Sequence, residues 1–267
     1  MPCLWLSIVL FINQPSVETV DFDTQIMPIL TKAGCNAGAC HGAAAGRGGF
    51  HLSLYGSRPR ADFSEITMAL EGRRIDRRNS DLSLLLLKPT EQLSHEGGTR
   101  LELDGLDHKT VQRWIDQGSR RTESRRLAEF TLDSQAMDRG EGGNGETRYF
   151  KLNATAKFSD GSVVDVLPWT VLTPNDPSGI SIDAPGVAAL LRPGRHLIMA
   201  RYLDQVRPLE LLVPWTGNVK PSTIAAVATA PTGIDNFINL RLEEVGLAAA
   251  PTVNDAGFVR RLTLDLT

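Results

Sequence analysis

Two thiols and an imidazole lie close together in the stretch Cys35-Asn36-Ala37-Gly38-Ala39-Cys40-His41-Gly42. Three chemistries use such a trio. In a c-type haem site the thiols form thioethers to the porphyrin vinyl groups, and the imidazole directly behind the second thiol becomes an axial iron ligand, which dictates the order Cys, Cys, His. The same cysteines could instead close a small disulfide loop. They could also join His41 as zinc ligands, but such a site needs a fourth partner, and Cys3, in an apolar N-terminal run, is poorly placed to supply it. The usual haem spacing has two residues between the cysteines, and here there are four. Ala37 and Gly38 are small, so the longer loop is pliable enough to fold against a flat macrocycle. On these residues alone all three readings stay open.

The elements that must position the trio are short. Phe22, Ile26, Ile29 and Leu30 recur near helical spacing before Gly34, which predicts a helix over 21–32 running into the cysteine loop, with Pro28 at a bend or first turn. Phe50, Leu52 and Leu54 alternate with polar residues, so 42–56 is expected to be extended. Helical pieces are expected over 63–72 and from Asp81 through the leucine run to Pro89. The clearest helix contains Val111, Trp114 and Ile115 on one face, with Asp107 as N-cap, Leu106 and Val111 as a staple and Gly118 as the closing residue. The polar stretch 120–126 reads as a solvated linker.

Beyond it the period changes from helical to two. Strand candidates fall at 127–132, 149–158, 163–166, 170–172, 179–182, 187–191, 196–202 and 206–213, separated by turn-forming runs such as Ser159-Asp160-Gly161-Ser162, and this spacing predicts a β-sandwich. Residues 138–146 read as an exposed excursion. Residues 216–233 are a second linker, and helical spacing returns from Ile234.

The chain of 267 residues is long enough for about two domains of roughly 100–150 residues. With 28 basic and 31 acidic side chains the net charge is −3, which argues against a nucleic-acid partner. The 24 Gly and 15 Pro suit a turn-rich chain. The apolar run 1–12 is too short to span a bilayer as a helix and reads as part of a candidate signal peptide over 1–19, although no Lys or Arg precedes it. A mis-called start or a buried strand are its alternatives. No nucleophilic triad, P-loop or dinucleotide fingerprint appears, so the segment offers no catalytic constellation and an electron carrier fits better than an enzyme.

Three stretches in order carry a resemblance: the cysteine loop with the Gly-rich run to Gly56, then Asp81-Leu82-Ser83-Leu84-Leu85-Leu86-Leu87-Lys88, then Trp114-Ile115-Asp116-Gln117-Gly118. Together they resemble the cytochrome c-like domain of large secreted planctomycete proteins. Residues 154–202, with Phe158-Ser159-Asp160-Gly161-Ser162, Gly186-Val187 and Pro193-Gly194, resemble a group 2 bacterial immunoglobulin-like domain. Residues 234–267 resemble the opening of the uncharacterised domain that follows in those proteins.

The resemblance implies a multidomain chain. A small all-α cytochrome c-like domain is expected over 20–119, an all-β immunoglobulin-like sandwich over 127–215, and the start of a truncated helical domain over 234–267. It implies one covalent haem c held by Cys35 and Cys40, with His41 as the proximal ligand, in a periplasmic or extracellular protein that transfers electrons or senses redox state. Relatives carry a distal Met in a Met-Pro-Pro segment before the Trp helix. This chain has Leu93-Ser94-His95-Glu96-Gly97-Gly98 there, so His95 is the expected sixth ligand. Of the other candidates, Met68 reads as core filling, His51 as facing away from Phe50 and Leu52, and His108 as solvent-exposed. The redox partner is unspecified, and the sandwich could bind protein or glycan. The alternative is a haem-free surface or adhesion protein with a Cys35–Cys40 disulfide.

Overall fold

The structure, a computed structural model, describes residues 19–122, 125–137, 147–183, 186–214, 233–245, 247 and 253–266. The candidate signal peptide with Cys3, the excursion at 138–146 and nearly all of the second linker lie outside the described residues. The chain divides into two compact units, 1–126 and 127–267.

In the first unit Asp21 caps a π turn over Phe22–Ile26, its carboxylate accepting from the Thr24 N–H and hydroxyl at 2.8 Å each. Helix α1 (Met27–Lys32) follows, with Pro28 in its first turn, where a missing N–H costs nothing. Helix α2 (Pro59–Thr67) also starts on a proline and is cut off by Leu70 and Glu71, both at left-handed φ. Helix α3 (Leu84–Leu87) is a single turn stopped before Pro89, and α4 (Leu106–Asp116) is the longest of the unit.

The expectation of a small all-α cytochrome c-like domain fails here. The chain is mixed, with two antiparallel sheets of eight strands and six short α-helices among the described residues, and most of the first unit is turn and loop. The cause is local. Pro28 and Pro59 fix where α1 and α2 begin, Pro89 follows the single turn α3, and the positive-φ residues Tyr55, Leu70, Glu71, Glu91, Asp104 and Ser119 turn the chain between the helices.

A small aromatic core holds the loops. The Phe22 ring lies 5.2 Å from Phe63, nearly perpendicular, and 5.3 Å from Trp114, an arrangement that rings favour over face-to-face stacking. Trp114 Nε1 donates to the Arg120 carbonyl at 2.8 Å. Arg121 reaches back to Asp23 through two bonds of 2.7 and 2.8 Å, and Arg125 donates to Thr24 Oγ1 at 3.1 Å. The stretch 120–126 is therefore tied to the first unit, at both Arg121 and Arg125, rather than solvated throughout.

In the second unit β1 (Leu127–Met137), β2 (Arg148–Phe158), β6 (Val187–Leu190) and β5 (Ile180–Asp183) form one antiparallel sheet in that order, with β3 (Val163–Asp165) also pairing β2. Strands β4 (Val171–Pro174), β7 (Gly194–Tyr202) and β8 (Gln205–Val213) form the other. Alternation decides what is buried: Leu152, Ala154, Ala156 and Phe158 face inward along β2, as do His196, Ile198, Ala200 and Tyr202 along β7. One core cluster joins Phe130 and Phe158 to Tyr202, and another joins Leu152 and Ile180 to Ile198 and Leu211, so the two sheets pack face to face. Helices α5 (Ile234–Glu244) and α6 (Asp255–Leu266) leave Ile234, Phe237, Leu264 and Leu266 exposed. Among the described residues no helix is long and apolar enough to cross a membrane.

Candidate functional site

The cysteine loop leaves α1 through a bond from the Cys35 N–H to the Leu30 carbonyl (2.9 Å) and folds into successive turns. The His41 N–H donates to the Cys35 carbonyl at 3.0 Å, so the two extra residues between the cysteines are absorbed in a closed loop that sets His41 beside the first cysteine's backbone. This closure needs Gly42, where a Cβ would stand 2.1 Å from the Asn36 carbonyl oxygen. Gly46, at φ +63°, serves the same end, since a Cβ there would lie 2.3 Å from the Phe50 carbonyl oxygen. Of the expected extended segment at 42–56, the part over 42–50 is instead a series of glycine turns with one isolated bridge, Arg47 to Phe50, and Leu54–Gly56 is a 3-10 turn, while Ser53 between them is extended.

Cys35 and Cys40 are both free thiols, so the disulfide is not formed in this structure. Burial, with a smaller push from Cys40, raises the Cys35 thiol from 9.0 to about 11, partly opposed by Arg100. His41 packs against the Phe50 ring at 4.6 Å. Burial holds its pKa below the ordinary 6.5, against the pull of the Phe50 and Arg47 carbonyls. Neutral imidazole, the form that ligates metals, is thereby favoured.

Opposite His41 stands His95. Their ring centres are 6.2 Å apart and their planes differ by 16°. His41 Nδ1 sits 3.2 Å from the Phe50 carbonyl oxygen and His95 Nδ1 sits 3.0 Å from that of Gly98. A carbonyl can only accept, so each Nδ1 carries the proton and each Nε2 keeps its lone pair for another partner. The two rings are thus stacked, near-parallel, across the site. Backbone carbonyls on Nδ1 are also how ligating histidines are commonly oriented.

The His95 loop is pinned rather than loose. The Arg100 and Leu101 N–H groups both donate to the Pro89 carbonyl (2.7 and 3.0 Å), and Lys88 Nζ donates to the Ser94 carbonyl at 3.0 Å. A Cβ on Gly97 would stand 2.8 Å from His95 Cε1, so the missing side chain at 97 is the space in which the imidazole ring lies.

Both histidines and both cysteines line one cavity of about 580 Å³, whose apolar wall includes Leu30, Phe50, Leu84, Leu85 and Pro89. That volume lies within the range of roughly 300–1,000 Å³ typical of cofactor and small-ligand sites. Met68, His51 and His108 are absent from its wall. Met68 is 64% exposed, so the expected core filling is wrong for it. His108, expected at the surface, is buried, and its Nδ1 has no hydrogen-bond partner. The sequence reading placed the helix start two residues late: Gly105 is the N-cap, and no side chain caps the helix.

Sequence reasoning also missed Arg74. Its guanidinium is buried, donating to the carbonyls of Glu65 (2.7 Å) and Gly49 (2.6 Å), and lies 4.4 Å from the centre of the Phe50 ring that backs His41. Nothing in its surroundings in the sequence marks it.

The donor set distinguishes two of the chemistries. Among the described residues no group of three or more His, Cys, Asp and Glu side chains is placed to hold a bare metal ion such as zinc. A porphyrin brings four nitrogens of its own, so two imidazoles such as His41 and His95 would be enough side-chain ligands for its metal. The sequence matches no protein-family pattern and no curated protein.

Proposed function

We propose that the first unit binds one haem c, linked through Cys35 and Cys40 and ligated axially by His41 and His95, and that it works as an electron-transfer or redox-sensing module. The observation that carries this reading is the pair of near-parallel imidazoles 6.2 Å apart, each with Nδ1 on a backbone carbonyl. The cavity that all four residues line and the free state of the two thiols support it.

Each residue has a defined task. Cys35 and Cys40, both free thiols, would hold the group covalently, each by addition of S and H across one vinyl double bond, which needs no outside oxidant. His41 and His95 would ligate the iron, each held by its Nδ1 bond to a backbone carbonyl so that little of the protein need rearrange on electron transfer. Leu30, Leu84, Leu85 and Phe50 line the cavity and would keep water from the bound group, which tunes its potential. When bound, haem supplies one-electron cycling of its iron. The likeness to secreted planctomycete cytochrome c-like domains points the same way, and covalent haem attachment places the protein outside the cytoplasm, in the periplasm or beyond.

The test is expression of the export-competent chain with a haem-maturation system, followed by a haem stain on a denaturing gel. Covalent haem survives that gel. The chain should stain, and the C35S/C40S double variant should not. An unstained wild-type band would sink the proposal in favour of the haem-free surface protein.

A further inference from the structure

Burying a guanidinium is costly unless its N–H groups find partners, so a buried arginine asks what its bonds accomplish. Arg74 is 6% exposed and has partners on two separate segments. Its Nη1 donates to the carbonyls of Glu65 at 2.7 Å and Ala69 at 3.4 Å, in the last turn of α2 and just past it, where helix carbonyls run out of intrahelical donors. Its Nη2 donates to the Gly49 carbonyl at 2.6 Å and pairs with the Glu65 carboxylate at 3.3 Å. One planar fork thus ties the end of α2 to the turn 47–50.

That turn carries the acceptor on which His41 depends. Arg47 and Phe50 exchange backbone bonds of 2.9 and 3.0 Å, and the Phe50 carbonyl also accepts from His41 Nδ1 at 3.2 Å. The centre of the Phe50 ring lies 4.4 Å from Arg74 Cζ and 4.6 Å from the centre of the His41 ring. Both the carbonyl and the ring that hold the imidazole therefore belong to the residue next to the carbonyl that Arg74 grips. Between Arg47 and Phe50 stand Gly48 and Gly49, at φ +58° and +71°. Glycine resists a change of backbone angle less than any other residue, so this turn gains from an anchor outside itself.

We propose that Arg74 is the positioning residue for His41: by holding the Gly49–Phe50 peptide it keeps the Phe50 carbonyl on Nδ1, and so keeps the lone pair on Nε2, the nitrogen left for iron. The proposal rests on the haem reading for what Nε2 binds, but its test needs no haem, so the two fail separately. Arg74 acts through Phe50 and needs no contact with the cofactor. His95 is an internal control. Its Nδ1 is held by the Gly98 carbonyl at 3.0 Å, on a loop tied to Pro89, and the Arg74 side-chain bonds go elsewhere.

The experiment records long-range proton–nitrogen correlation spectra of the imidazoles in the isotope-labelled full-chain apoprotein at mildly alkaline pH, where neutral rings show which nitrogen carries the proton. In the unaltered protein His41 and His95 should both be Nδ1–H. Arg74→Met should shift His41 mainly to Nε2–H, the form an unrestrained histidine side chain prefers, and leave His95 at Nδ1–H. Should Arg74→Met not fold, Arg74→Lys is read in its place. Lysine keeps the charge beside Glu65 but has one nitrogen where the arginine uses two, and should release His41 in the same way. His41 still Nδ1–H in a folded Arg74 variant would overturn the proposal. So would Nε2–H at His41 in the unaltered protein, or loss of both Nδ1–H forms together, which is what a general loosening of the unit produces. None of these outcomes depends on whether the chain stains for haem.

Discussion

Gly97→Ala is the substitution that separates a histidine placed to ligate iron from one that merely lies in a loop. The added Cβ would stand 2.8 Å from His95 Cε1, about 0.6 Å short of ordinary contact, and 3.2 Å from Nε2. The backbone offers no relief on its other side, because the loop is tied to Pro89 by two hydrogen bonds, so the imidazole must move. Metal–ligand distances tolerate only about ±0.2 Å, and the shift also strains the Nδ1 bond to the Gly98 carbonyl, an orienting contact whose loss typically costs about 10–100-fold in metal affinity. In the haem-loaded protein, Gly97→Ala should therefore convert much of the low-spin iron to a five-coordinate high-spin form without releasing the covalent haem. His95→Ala should complete that conversion. Gly98→Ala is the control. Gly98 has φ +70° and open space around its Cβ position, so alanine there costs about 1–2 kcal/mol of backbone strain and lowers the melting temperature without touching the ring. Electronic absorption and electron paramagnetic resonance read the spin state directly. An unchanged low-spin spectrum in both Gly97→Ala and His95→Ala would refute the assignment. A methionine-to-iron charge-transfer band in the unaltered protein would refute it equally and bring Met68 forward.

Other consequences can be checked on the same material. The buried Cys35 thiol is raised from 9.0 to about 11, so folding favours its protonated form. Its contribution to stability is intact below pH 9 and is lost as pH rises through 11, by about 2–3 kcal/mol. Urea unfolding of the apoprotein at the two ends of that window should show the loss, and Cys35→Ala or thioether formation should remove it; an identical alkaline loss in Cys35→Ala would contradict the burial argument. His41, held below 6.5 by burial, should make the apoprotein less stable as pH falls below 6.5, a trend that His41→Phe should flatten in the same unfolding measurement. His95→Met should raise the reduction potential in a spectroelectrochemical titration, because Met/His ligation is the arrangement that raises it, and an unchanged potential would mean that residue 95 is not on the iron. Trp114→Ala, which removes the fully buried ring at the centre of the aromatic core, should destabilise the first unit by about 3–5 kcal/mol, visible in a calorimetric scan as a lowered transition.

The strands were the legible part of the fold. Alternation and turn residues located all eight, because period two follows directly from which side chains face inward, although β1 runs to Met137, five residues past its expected end. The first unit was less legible for a physical reason. Its conformation is set by residues at positive φ that are not glycine, such as Leu70 and Glu71, and nothing in their side chains announces that geometry. The leucine run illustrates the cost: helical spacing suggested a helix from Asp81, yet Ser83 is extended and only Leu84–Leu87 form α3. His108 could have been placed correctly, since it precedes Val111 by three residues and Ile115 by seven and so shares their buried face. At the site, Cys35, Cys40 and His41 stand together because they are close in sequence. His95 could be nominated only through the resemblance and its glycines. Arg74, far from the motif and reaching it through carbonyls, left no trace in the sequence.

The most direct test of the central claim is the mass of the tryptic peptide 33–47, which holds Cys35, Cys40 and His41 together, from protein matured with a haem-attachment system and digested under denaturing conditions. The account predicts that this peptide carries the added mass of one haem, with both thiols consumed and every other peptide unmodified. A peptide of unaltered mass, or one lighter by two hydrogens as a Cys35–Cys40 disulfide requires, would contradict it.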